Sequence, residues 1–269
     1  MSIVGINYEK CSVCKRCITD CTRGLFTEDS SGKIIRLADE MKRCNFCGKC
    51  VAICKENAIL WEGNWEDDVE SYPGVENYEE NVSYENLMQL LKAKRSIRQY
   101  KPKKVPPELL KKVFEAMRYA SSADNRRAWN FSVISDPIII RTLSQESIKI
   151  VYPYIGFPSA EAALKYFETI DKDPIFHKAP ALIFHTASKN ASMPPVDAGI
   201  VLTYGQLAAH TLGLATCWIG MAHGLGMNKE MMKVIGLEGQ IHGVLTIGYP
   251  AVKYYRTPPR APLDVVGLE

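Results

Sequence analysis

A chain of 269 residues has room for one or two domains, and a formal net charge of +3, without a long basic run interleaved with aromatics, gives no case for nucleic-acid binding. The composition, 46% hydrophobic and 23% charged, is that of a soluble globular protein, and no apolar run approaches the ~20 residues of a membrane span. The opening Met-Ser-Ile-Val-Gly lacks a basic start, an apolar core and a small-residue cleavage site, so no signal peptide is expected.

Eight of the nine cysteines fall in two matching runs. The first holds Cys11, Cys14, Cys17 and Cys21; the second holds Cys44, Cys47, Cys50 and Cys54. Both read C-x2-C-x2-C-x3-C, and each cysteine of the first recurs 33 positions later in the second. Three thiolates on one tight loop can ligate three irons of a cube, and in the bacterial two-cluster pattern the fourth cysteine of each run serves the other cluster. The expectation is one [4Fe–4S] centre on Cys11, Cys14, Cys17 and Cys54, and a second on Cys44, Cys47, Cys50 and Cys21. Zinc sites favour two C-x2-C pairs, often with histidine, and no histidine lies in this region. A disulfide framework would call for a secreted chain. The first 60 residues resemble two-cluster bacterial ferredoxins, except that Thr22 and Lys55 stand where those proteins usually place proline after the fourth cysteine. Reduced thiols and oxygen-sensitive centres point to the cytoplasm of an anaerobe or facultative anaerobe.

Residues 61–82 are expected to be an acidic linker. Trp61 to Glu80 carries Glu62, Glu66, Asp67, Asp68, Glu70, Glu76, Glu79 and Glu80 and no Lys or Arg, with Pro73-Gly74 as a turn. A dock for a basic partner is the alternative to a solvated linker. About 190 residues follow, enough for a sizeable core, and a second domain is expected over 83–269. Helices are predicted at Asn86 to Lys94, from Pro106-Pro107 onward with Leu109, Leu110, Val113, Phe114, Met117 and Ala120 on one face, and from Asp197 to Leu212, closed by Gly213. Strands are predicted at Phe131 to Ile134, Ala181 to Thr186 and His242 to Ile247. Interspersed strands and helices give an α/β or α+β class.

Four stretches stand out in the second domain. Lys94-Arg95-Ser96-Ile97-Arg98 clusters cations with a hydroxyl and could grip a phosphate. Ser121 to Trp129 is a polar turn between a helix and a strand. Leu207 to Gly220 runs through a glycine turn into an apolar stretch. Ile247-Gly-Tyr-Pro250 leads into a proline-rich tail with Arg256 and Arg260.

In this order the four stretches resemble the nitroreductase family of FMN enzymes, from roughly Tyr84 to the C-terminus. The resemblance implies an α+β fold with a mixed sheet flanked by helices, and a homodimer that binds FMN in clefts between its chains. It places Lys94, Arg95, Ser96 and Arg98 at the phosphate and ribityl end. Ser122 and Asn125 would reach the flavin, typically of the partner chain, in a turn where Arg127 replaces the family's Gln. Trp218, Ile219 and Gly220 would pack beside the ring and offer backbone N–H groups, and Arg260 would grip the phosphate. The family generally works without a dedicated acid or base, so no catalytic side chain is named.

Other residues have plainer accounts. Cys217 reads as a buried small hydrophobe. His177, His185, His210, His223 and His242 share no metal-ligand spacing. Tyr152 and Tyr154 would line a substrate pocket or pack within their own loop, and Asp197 reads as an N-cap. Together the halves suggest electrons passing from an external donor (ferredoxin, flavodoxin or NAD(P)H) through two clusters to FMN and on to an electron-poor organic acceptor such as a nitroaromatic. A quinone, enone, haloaromatic or free flavin is the alternative acceptor, and an electron-transfer module serving a protein partner is the alternative role. No G-x-G-x-x-G follows a predicted strand, so no Rossmann unit is expected.

Overall fold

The computed structural model describes residues 2–63 and 77–267. Most of the acidic stretch, residues 64–76, therefore lies outside the described residues. The chain divides into two compact units, Met1–Asn81 with Asp124–Arg126, and Val82–Ala123 with Arg127–Glu269.

The first unit is built twice. Strand β1 (Ser2–Ile6) pairs antiparallel with β4 (Ile59–Glu62), and β2 (Phe26–Glu28) pairs antiparallel with β3 (Ile34–Arg36). Two short helices, α1 (Arg16–Asp20) and α2 (Lys49–Ala52), grow out of the two cysteine runs. The 33-residue offset of the cysteines extends to the core, where Leu25 and Phe26 match Ala58 and Ile59, all buried. With Ile3, Ile6, Ile34 and Val51 these make a small apolar centre on which the cysteines pack. A core of this size is marginal by itself, and bound clusters would supply the missing cross-links. A one-turn helix, α3 (Tyr78–Asn81), ends this part of the chain.

The second unit is a three-layer sandwich. Strands β5 (Trp129–Ile134), β6 (Ala181–Ala187), β8 (Ile241–Gly248) and β7 (Ala215–Trp218) lie in that order, each antiparallel to its neighbour, and a bridge from Ser96 to Thr216 adds a parallel component. Alternation along β6 divides the core. Ala181 and Ile183 pack towards α5 (Pro107–Arg118) and α8 (Pro194–Thr211), while Leu182 and Phe184 pack towards α6 (Pro137–Val151). Because both faces are covered, the strand reads as a continuous apolar run rather than an alternating one. The remaining helices are α4 (Tyr84–Ala93), α7 (Ala160–Thr169) and α9 (Lys229–Ile235).

Helix ends follow their capping chemistry. Ser83 accepts from the Asn86 N–H at 3.2 Å to start α4, and Pro107 occupies the first turn of α5, where its missing N–H costs nothing. Gly213, at φ +73°, supplies the left-handed residue after α8. Asp197 is not the cap that the sequence suggests. Helix α8 begins earlier, at Pro194 after Met193, and Asp197 sits in its first turn, where Oδ1 accepts the Ala123 N–H at 2.9 Å. Gly205 lets α5 and α8 approach, since a Cβ there would lie 2.8 Å from Met117 Sδ. No helix among the described residues is long and apolar enough to cross a membrane.

Candidate cofactor sites

The cysteine runs adopt the same backbone. Val13 and Lys15 have φ of 55° and 61°; their counterparts Phe46 and Gly48 have 53° and 74°. A β-branched residue in the left-handed region is strained by about 1–3 kcal/mol. Such alternation turns successive N–H groups inward and forms an anion-binding concavity. The first run curls around a cavity lined by Cys11, Cys14, Cys17 and, from the other run, Cys54. The second curls around a cavity lined by Cys44, Cys47, Cys50 and, from the first run, Cys21.

The fourth cysteines share a further contact. Leu25 N–H donates to Cys21 Sγ at 3.4 Å, and Ala58 N–H donates to Cys54 Sγ at 3.2 Å, again 33 positions apart. Burial pushes the Cys17 thiol up, and burial together with neighbouring Cys47 pushes its counterpart Cys50 to about 11. Metal binding would displace the protons that this partial burial favours. Among the described residues no three His, Cys, Asp or Glu side chains converge as ligands of a single ion. A cube is compatible with that spread, because each of its thiolates binds a different iron.

In the second unit a cavity of about 420 Å³ is lined by Lys94, Arg95, Gln206, Thr216, Lys253 and Arg256, among others, and by no carboxylate. The stretch that supplies Lys94 and Arg95 is fixed to the sheet edge. Ile97 N–H donates to Thr216 O at 3.0 Å, and the part-buried Tyr100 hydroxyl donates to Ile97 O at 2.6 Å while lying 2.7 Å from Thr246 Oγ1. Burial raises the Tyr100 pKa and keeps that hydroxyl a donor. Lys94 is half-buried and its ammonium donates to Gln206 Oε1. Desolvation lowers its pKa, with Arg95 adding to the effect. A desolvated ammonium beside a guanidinium, in a wall without acids, suits a phosphate.

The other expected contacts are dispersed. Ser96 forms the bridge to Thr216, and Arg98 is exposed outside the cavity lining. Ser122 Oγ accepts the Arg127 N–H at 2.9 Å, and Arg127 itself borders a second hollow with Trp129 and Phe131. Asn125, grouped with the first unit, donates through Nδ2 to the carbonyls of Asn45 and Phe46 at 3.0 and 3.1 Å. Trp218 ends β7; a Cβ at Gly243 would lie 3.1 Å from its ring, so the glycine makes room for the indole. The Ile219 N–H donates to Val244 O at 2.9 Å and is not a free donor, whereas Gly220 is exposed at the following turn. Arg260 lies outside the lining and Arg256 within it. Gln206, Lys253 and Arg256 went unpredicted. The first lies on a helix face that reads as core, and the other two lie in a tail without periodicity.

The nitroreductase family model matches residues 91–249, more than half of the chain. The chain belongs to the nitroreductase family. A model for a 4Fe–4S dicluster domain matches residues 10–59. A protein of Methanothermobacter thermautotrophicus named as an NADH dehydrogenase/NAD(P)H nitroreductase is 27% identical over 172 residues, 63% of this chain and 80% of that one. A protein of the same name from Archaeoglobus fulgidus is 25% identical, over 62% of this chain and 86% of that one. Among solved structures, a nitroreductase with bound FMN from Bacteroides fragilis superposes with a TM-score of 0.55 at 21% identity, covering 67% of this chain and 98% of that chain. An FMN-dependent nitroreductase from Clostridium difficile R20291 gives 0.50 at 26% identity, covering 68% and 97%. The family's α+β fold, preceded by an iron–sulfur domain, is thus the architecture of this chain.

Proposed function

We propose that this chain is an FMN-dependent oxidoreductase that takes up electrons singly at two [4Fe–4S] centres and delivers them in pairs to an electron-poor organic acceptor such as a nitroaromatic. The observation that carries this reading is the grouping of thiols: each cavity draws three cysteines from one run and one from the other. Paired with a basic, acid-free cavity in a nitroreductase-family unit, that grouping supports a one-electron and a two-electron cofactor in the same polypeptide.

Bound FMN would supply the conversion between single electrons and hydride equivalents. The protein's part is to hold it. Lys94, Arg95 and Arg256 would meet the phosphate, with Gln206 setting the position of the Lys94 ammonium and Tyr100 fixing the stretch that carries the cations. Trp218 would offer an apolar wall to the ring, and Gly220 would leave its neighbourhood open to backbone donors. Apolar walls from Ile6, Ile34 and Ile59 at one thiol cavity, and from Ile3, Leu25 and Phe26 at the other, would exclude water from the clusters.

Membership of the nitroreductase family favours two chains sharing the cleft. The holoprotein should sediment at twice the 30.1 kDa chain mass. The deciding experiment is anaerobic isolation, with iron, sulfide and flavin measured per chain, followed by a screen of nitroaromatic acceptors with dithionite as reductant. About eight irons, bound FMN and acceptor-dependent reoxidation are expected; protein without flavin, or flavin that dithionite-reduced clusters never reduce, would end the proposal.

A further inference from the structure

The cations of the first unit repeat with its cysteines. Lys10, just before the first run, and Arg16 within it correspond, 33 positions on, to Arg43, just before the second run, and Lys49 within it, and Lys15 and Lys42 add one more to each. No Asp or Glu occurs within 10–17 or 42–50. All six cations are exposed. Two have carboxylate partners: Lys15 lies 2.6 Å from Glu28, and Arg43 Nε lies 3.8 Å from Asp39. Among the described residues, Lys10, Arg16, Lys42 and Lys49 have none within ion-pair distance. Cys14 and Cys47, the middle thiols of each run, are themselves exposed.

Like charges flanking each thiol cavity, four of the six without a carboxylate partner among the described residues, cost the isolated protein and are relieved by an opposite surface. Their position makes them relevant to electron entry. They frame the loops that bring each thiol cavity to the surface, and those cavities suit a centre that exchanges one electron and no atoms. We infer that the two cysteine loops form a docking surface for an acidic, low-potential electron-carrier protein that gives up electrons singly. This rests on the reading of the thiol cavities as cluster sites and adds the donor's chemical class and its place of contact. The transfer balances simply: the carrier is oxidised by one electron, a cluster is reduced by one, and no bond or proton moves. Complementary charge at such a contact mainly raises the rate of productive encounter, by roughly 10- to 1,000-fold, and makes it dependent on salt.

The test uses anaerobically isolated holoprotein and a purified acidic bacterial ferredoxin as probe, with affinity measured by calorimetry at low and high NaCl. Wild type is compared with Lys10→Gln/Arg16→Gln/Lys49→Gln, with Lys10→Gln/Lys42→Gln, whose changes lie outside the cysteine runs, and with Lys229→Gln, which removes an exposed cation of the second unit. Both loop variants should bind at least tenfold more weakly and lose most of their salt dependence, with iron content unchanged; Lys229→Gln should bind as wild type. Equal affinity in the loop variants, or no complex with wild type, overturns the docking surface. So does tighter binding of a fluorescent DNA duplex than of the ferredoxin. Reduction of the clusters by dithionite is monitored in parallel. If it fails to reach the flavin, the proposed function falls, whatever the binding result.

Discussion

The Lys94 ammonium donates to Oε1 of Gln206, and that oxygen also lies 3.4 Å from Thr216 Oγ1. One amide therefore ties the start of the basic stretch to helix α8 and to strand β7. Lys94→Met should weaken FMN binding at least tenfold, by loss of a charged hydrogen bond worth about 1.5–3 kcal/mol, and leave iron content unchanged. Arg256→Ala should have a similar effect, and Arg260→Ala a smaller one, because only Arg256 lines the cavity. Flavin fluorescence titration of the deflavinated protein measures all three.

Crossed thiol cavities make a double-substitution experiment informative. Cys21→Ala and Cys44→Ala strike the same cavity, so the pair should cost about four irons, as each does alone. Cys21→Ala with Cys11→Ala strikes both cavities and should cost about eight. Iron analysis with EPR of the reduced protein separates these outcomes from an uncrossed arrangement, in which the two pairs would exchange results.

Asp197 is buried, and its Oδ1 holds the Ala123 N–H inside the turn that runs from Ser122 to Arg127. Asp197→Ala leaves that donor unmet and should destabilise the second unit by about 1–3 kcal/mol. Asp197→Asn retains an acceptor of the same shape and should lose less. Urea unfolding monitored by tryptophan fluorescence compares the three proteins.

His185 lies fully buried in the central strand β6, 5.2 Å from the Phe131 ring, and neither of its nitrogens has a hydrogen-bond partner among the described residues. Burial, with nearby His242 adding to it, lowers its pKa to about 4. The unfolded chain, with histidine near 6.5, then binds the proton first. Stability from this group is complete above pH 6.5 and is lost as the pH falls towards 4. Between pH 7 and pH 5 the loss should be about 2 kcal/mol. His185→Phe should remove most of that slope, read as the difference in urea midpoint between variant and wild type at each pH.

The cysteine runs, the short apolar strands and the helices with strong starts were readable because each signal is local. Spacing alone grouped the eight thiols, and Pro107 and Gly213 marked helix ends by backbone chemistry. The same locality explains the omissions. Helices α6, α7 and α9 begin at Asp136, Ser159 and Asn228, whose side chains accept N–H bonds from the first turn. Those signals are legible in hindsight but weak beside neighbouring loops. Asp197 looked like a cap because its true role is a bond to Ala123, 74 positions away. The Ile219 N–H was expected to be free, but the pairing with Val244 that occupies it is again long-range. Gln206 and Arg256 meet at one cavity only through the fold, so no spacing rule links them.

The 33-residue echo in the first unit bears on how the protein is made. A ribosome that has released residues 11–21 has finished three walls of one cavity and a single wall of the other. Neither can close until Cys54 and Cys44 to Cys50 have followed. On the two-cluster reading, insertion at either site would wait until the second run has been made, and any cleavage between the runs would leave two fragments unable to complete a site alone.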